Sequence, residues 1–219
     1  MIRATAVCGS PVSHASRYLP SLKRWDIINK LISSREYKSY LEIGYYKGWS
    51  FDRIDCASKT AVDPNPCKDT FQESLPYGSV VEVSDNALII KLTSDDYFNK
   101  YPVKVDIVFI DGLHEADQVY KDLVNAFNIL NDGGVVVVHD CNPPKYEHTT
   151  TGIDGCWTGD TYKGYLRFLA KHPYAYKTLD TDWGVGVIEK EVVGFFASEP
   201  KNFEEFDKDR VFLLKLETI

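Results

Sequence analysis

Apolar residues recur at three- and four-residue spacing at Leu22, Trp25, Ile28 and Ile32, the stripe of an amphipathic helix, with Pro20-Ser21 suited to start it. Beyond Tyr37 the period shortens. Tyr40-Leu41-Glu42-Ile43, Thr60-Ala61-Val62, Ala87 to Leu92 and Val105 to Ile110 are short β-rich runs. They end at Gly44, at Asp63-Pro64, near Ser94-Asp95 and at Asp111-Gly112. A second helical stripe follows in Ala116, Val119, Tyr120, Leu123, Phe127 and Leu130, with Glu115 and Asp117 in its first turn and Asp132-Gly133-Gly134 as its stop. Val135 to Val138 is an unbroken β-branched run, the mark of a strand covered on both faces.

Alternating strand and helix predict parallel strands joined by right-handed crossovers. A helix over Tyr162 to Ala170 leads to two further runs, Tyr174 to Leu179 and Gly184 to Glu189. Only Asp180-Thr181-Asp182-Trp183 separates them, too little for a crossover, so they form an antiparallel hairpin. The expected fold is α/β, a Rossmann-like doubly wound sheet of seven strands, mainly parallel, closed by that hairpin. One domain over 1–219 is expected, with a helical segment to residue 38, a core over 39–190 and an extension over 191–219.

Composition narrows the function classes. A chain of 219 residues can bury a sizeable core without disulfide or zinc staples. Net charge is −7, with 25 basic against 32 acidic side chains and no basic patch, which argues against a nucleic-acid partner. Apolar runs are far shorter than the roughly 20 residues of a membrane span, and the start lacks a signal-peptide core. Five scattered cysteines with no Cys-x-x-Cys pair read as free thiols in a reducing compartment, hence a cytoplasmic protein.

In an open α/β sheet, ligands bind outside the carboxyl ends of the strands. Acidic residues cap nearly every strand here, unlike a nucleotide-phosphate site. Glu42-Ile43-Gly44-Tyr45-Tyr46-Lys47-Gly48 places two glycines four apart, without the G-x-G-x-x-G spacing that seats a pyrophosphate. This loop resembles the glycine loop of class I S-adenosylmethionine-dependent methyltransferases. Asp63 lies about 20 residues on, where an acid can accept both ribose hydroxyls; its other reading is a turn residue before Pro64. Val105 to His114, Gly133-Gly134, Val135 to Val138, His139-Asp140 and Asn142-Pro143-Pro144 resemble one branch of that superfamily. So do Trp157 through Gly164 and Trp183 to Val187. The branch contains the macrocin and rhamnosyl O-methyltransferases and cephalosporin-hydroxylase-like proteins, and the likeness runs from about Tyr40 to Lys190.

The resemblance implies S-adenosylmethionine as cofactor, held by Glu42, Gly44, Gly48, Asp63, Ser94, Asp95 and Asp111. Ser94-Asp95 would contact the adenine, or simply cap the next helix. It implies a divalent cation, Mg²⁺ or another, on Asp111 and Asp140, with His139 a third candidate ligand and Asn142 in reserve. His114 falls where such enzymes carry their base; its other reading is a helix-start residue. Some related enzymes have Asp-Asn where this chain has Asp140-Cys141-Asn142, and others two consecutive acids where it has His139-Asp140; alternation along a strand sends His139 and Asp140 to opposite faces unless the strand has broken. The aromatics Tyr45, Tyr46 and Trp49 suit either core or cofactor lid, and the loop from Asn142 to Trp157, with His148 and Asp154, suits a substrate lid or a disordered segment. The expected partner is a small hydroxylated acceptor, sugar or natural-product-like, with a homodimer left open. The competing classes are a nicotinamide-dependent oxidoreductase and a non-catalytic S-adenosylmethionine-binding protein.

Overall fold

The structure is a computed structural model that describes residues 22–67, 76–152 and 156–218. Pro20-Ser21 and Asp154 lie outside the described residues. Helix α1 (Arg24–Arg35) precedes β1 (Ser39–Ile43), a short 3-10 turn (Phe51–Arg53), β2 (Ser58–Val62), β3 (Val80–Ser84) and β4 (Ala87–Ile90). Strict alternation then sets in with α2 (Ser94–Lys100), β5 (Val105–Ile110), α3 (Ala116–Ile129) and β6 (Leu130–Val138). The chain closes with α4 (Tyr146–Thr150), α5 (Thr161–Lys171), β7 (Tyr174–Leu179), β8 (Val185–Val192), α6 (Phe203–Leu213) and β9 (Leu216–Glu217).

Among the described residues, nine strands form one sheet in the order β3-β4-β2-β1-β5-β6-β8-β7-β9. The five strands from β4 to β6 run parallel, and β8 pairs antiparallel with both β6 and β7. The hairpin expected from the four-residue gap is therefore present. The expected seven strands are corrected to nine by two short edges. No residue of β3 is buried, so no alternation marks it, and β9 is two residues long. Both exist because a neighbouring strand offers them a ladder, β4 for β3 and β7 for β9.

The period of two sorts the core into two layers. Leu41, Ile43, Val108, Ile110, Val136 and Val138 face α3, α5 and α6, whereas Tyr40, Ile107, Phe109, Val135 and Val137 face Ile27, Ile28 and Ile32 of α1. The four valines from Val135 to Val138 are all fully buried, and each stabilises the fold by roughly 1.5–3 kcal/mol. Alternation also places Glu42 under the α1 layer beside Tyr40, whose hydroxyl donates to its carboxylate. The segment after Asn142 is not a bare loop: α4 buries His148 and Thr149, with His148 against the Trp183 ring at 5.1 Å.

Candidate active site

Parallel strands bring their carboxyl ends to one edge, and a cavity of about 820 Å³ opens there. Glu42, Gly44, Asp63, Ser94, Asp95, Asp111, His114, His139 and Asp140 all line it. Gly48 does not: at φ +74° its Cα packs behind the wall, where a Cβ would stand 2.6 Å from the Tyr45 hydroxyl oxygen. Gly44 turns the chain at φ +96°, and a Cβ there would fall 2.0 Å from the Asp111 carbonyl oxygen. Only glycine lets β1 and β5 end this close together.

On the β1–β2–β4 side, carboxylates sit in turns. Asp63 accepts from the backbone N–H of Tyr46 (2.8 Å) and of Asn65 (2.7 Å), so it shapes the turn and still borders the cavity. The helix after β4 is capped by Thr93 rather than by Ser94. Ser94 Oγ and Asp95 Oδ1 instead accept from the Gln118 amide at 3.1 and 3.0 Å, as does Asp122 at 3.0 Å. Burial pushes the Asp122 carboxyl up to about 6, and it also pushes the fully buried Glu42 up to about 8. The aromatics divide: Tyr45 is core, while Tyr46 and Trp49 are exposed at the rim, edge to face at 5.7 Å with Lys47 over both rings.

On the β5–β6 side, titratable groups converge. The β6 ladder ends at Val138 and Asp140 takes φ +59°, so the strand has broken and His139 and Asp140 turn to the same side. His139 Nδ1 lies 3.2 Å from Asp111 Oδ1 and 3.2 Å from Asp140 Oδ1. His114 spans the same two acids, Nε2 at 3.3 Å from Asp111 and Nδ1 at 3.4 Å from Asp140, and stacks on Trp157 with ring centroids 5.3 Å apart. Burial disfavours the charged forms of Asp111, His114 and His139, but attraction within the cluster outweighs it. Asp111 is held well below the usual carboxylate range by His139 and His114, and both histidines are raised, chiefly by Asp111 and Asp140. Asn142 is not in this group; its amide donates to Asp180 and its oxygen accepts from Arg210. Cys141 is buried in the α3 layer.

Sequence reasoning passed over three participants. Gln118 lines the cavity from α3. Arg24, from α1, reaches Asp111 Oδ2 at 3.6 Å and His139 Nε2 at 3.4 Å. It is itself fixed by Asp182, which accepts from the Arg24 backbone N–H and from Nη1, both at 3.0 Å. Burial opposes the Asp182 charge, yet His139 and Arg24 pull its pKa below the normal range. One signal was available: β7 runs in the sense of the parallel strands, so the hairpin turn after it must land at the ligand edge.

Residues 41–141 match the family model of a methyltransferase domain. No curated protein is matched by the sequence. Among solved structures, a Staphylococcus aureus protein assigned as a caffeoyl-CoA O-methyltransferase is similar at a TM-score of 0.54 and 20% identity, covering 78% of this chain and 86% of that one. An O-methyltransferase from Bacillus cereus in complex with S-adenosylhomocysteine gives 0.51 and 12%, covering 76% and 80%. TomG of Streptomyces achromogenes, an O-methyltransferase of tomaymycin synthesis solved with S-adenosylmethionine, gives 0.51 and 16%, covering 76% and 78%. The domain match covers residues 41–141, and the solved structures show that the chain shares its fold with O-methyltransferases. No helix among the described residues is long and apolar enough to cross a membrane.

Proposed function

We propose that the protein transfers a methyl group from S-adenosylmethionine to a hydroxyl of a small sugar-like or natural-product-like acceptor, with a divalent cation assisting. The observation that carries this reading is the convergence of Asp111, His114, His139 and Asp140 beside the Gly44 turn in one cavity. The Gly44 turn leaves room for the cofactor's backbone, and Asp63 offers spare lone pairs to its ribose hydroxyls. Ser94 and Asp95, positioned by Gln118, border the adenine end.

Methyl transfer is an in-line displacement. The acceptor oxygen forms a bond to the methyl carbon while the carbon–sulfur bond breaks, its electron pair staying on sulfur as S-adenosylhomocysteine. The hydroxyl proton must leave, and His114, stacked on Trp157 at the cavity wall, accepts it in its neutral form. Asp111, His139 and Asp140 offer one ligand atom each within 4.8 Å of one another, a set that fits a cation. A cation held by these residues would supply Lewis acidity, lowering the pKa of the acceptor hydroxyl. The test is labelled methyl transfer across an acceptor library, before and after EDTA treatment and with the cation restored. Turnover that survives chelation removes the metal from this account, and a protein that binds S-adenosylhomocysteine but turns over no acceptor is the non-catalytic alternative.

A further inference from the structure

We propose that Gln118 of α3 is the specificity-determining residue for the cofactor's base: its amide oxygen accepts from the 6-amino group of adenine, while Ser94, Asp95 and Asp122 hold the amide in that orientation. The inference rests on the S-adenosylmethionine reading above. It moves base recognition away from Ser94 and Asp95, where the resemblance placed it.

Three observations carry it. The first is that the Gln118 amide has one workable orientation. Its Nε2 lies 3.1 Å from Ser94 Oγ, 3.0 Å from Asp95 Oδ1 and 3.0 Å from Asp122 Oδ1. An ionised carboxylate only accepts, so a flipped amide would set oxygen against two acceptor oxygens. The NH₂ therefore takes that side and Oε1 takes the other. The second is that neighbouring polar atoms are already engaged. Asp95 Oδ1 accepts from Gln118, Asp95 Oδ2 lies 3.5 Å from Lys121 Nζ, and Thr93 Oγ1 caps α2. Gln118 Oε1 makes no hydrogen bond among the described residues, and its half-buried side chain lines the cavity. The third is Asp122, an acid only 1% exposed on the buried face of α3. An acid is costly there, and its partners are the Gln118 amide one helical turn away and the Ser94 hydroxyl. It holds the amide in place at the cavity wall.

Strand order sets which part of the cofactor arrives here. Along the ligand edge, the reaction centre ends β5, the glycine turn β1 and Asp63 β2, and Ser94-Asp95 follows β4. A cofactor with its sulfonium at the reaction centre and its ribose at Asp63 brings its base to the wall that Gln118 shares with Ser94 and Asp95. Adenine presents N–H donors at position 6, whereas hypoxanthine presents an acceptor oxygen there. A free amide oxygen that cannot flip bonds the first and repels the second.

The experiment measures S-adenosylhomocysteine and its deaminated analogue S-inosylhomocysteine by calorimetry on the full chain. Wild type should bind the inosyl ligand about 10–100-fold more weakly. The analogue with hydrogen at position 6 should fall between them, having lost the bond without meeting the repulsion. Gln118→Met keeps the volume and removes the oxygen, so it should weaken S-adenosylhomocysteine and bring the adenosyl and inosyl ligands within about threefold of each other. A merely structural Gln118 would weaken both alike and leave their ratio standing. Should Gln118→Met fail to fold, Gln118→Ala gives the same readout, and the order of the three ligands on wild type is a test needing no variant. Equal binding of the adenosyl and inosyl ligands by wild type, or a ratio that persists in a folded Gln118 variant, overturns the inference and leaves the cofactor reading standing. A wild-type protein that does not bind S-adenosylhomocysteine overturns both.

Discussion

The two halves of the ligand edge are built on different principles. At the ends of β1, β2 and β4 the wall is made by backbone: a glycine turn, an Asp63 that ties two amides, and a helix start after Thr93. At the ends of β5 and β6 it is made by side-chain charge, with Asp111, Asp140 and Asp182 set against His114, His139 and Arg24. The first half suits a ligand recognised by shape and hydrogen bonds, the second a reacting centre whose electrostatics must be fixed in advance. The difference teaches that a site can be locally encoded on one side and globally assembled on the other.

Substitutions should separate the halves, and the largest effect belongs to the charged one. His114→Ala should lower methyl transfer by about 10²–10⁴-fold with S-adenosylhomocysteine affinity unchanged; single-turnover rates and calorimetry on the same preparation check both. Gly44→Ala breaks the other half, because a Cβ meets the Asp111 carbonyl and the positive φ is strained. It should cost at least about 2 kcal/mol of stability and most cofactor binding, read by denaturant unfolding and calorimetry. Asp63→Ala should cost cofactor binding about 1–3 kcal/mol while leaving cation affinity alone. An Asp63→Ala protein with wild-type affinity would take the ribose contact away from that residue.

A further effect is a pH slope. Burial raises the Glu42 carboxyl from 4.5 to about 8, so the fold binds its proton more tightly than the unfolded chain does. The stabilisation is complete below the unfolded value and is lost as pH climbs through the folded one, at up to about 1.4 kcal/mol per pH unit. Urea unfolding from pH 5 to 9 should show stability declining, and Glu42→Gln should flatten that decline.

Much of the fold is legible in the sequence because its signals are local. Val135 to Val138 can only be a strand covered on both sides, and a four-residue gap can only be a hairpin. β3 and β9 escape because their sequence carries no buried face; their partners create them. The half proposed to hold the cofactor is legible for the same reason as the strands, since Glu42, Gly44 and Asp63 follow directly from strand ends. The charged half is legible only in part. Asp111, His114 and Asp140 end or follow adjacent strands, but the turn of His139 toward them depends on a left-handed Asp140 that no glycine announces. Arg24 and Asp182 have no local signature, because their meaning comes from a contact between opposite ends of the chain.

That contact also sets an order of assembly. The Asp182 carboxylate accepts from the Arg24 backbone across 158 residues of sequence, a closure whose chain entropy is lost before any ion pair rewards it. The glycine turn and the parallel strands beside it form from nearer partners. During synthesis a nascent chain would thus form the glycine turn before the charged half is complete, and a chain halted before Tyr174 would lack the carboxylate that fixes Arg24 beside Asp111 and His139. The α1-to-hairpin clasp thus makes completion of the charged half wait on a contact between distant parts of the chain.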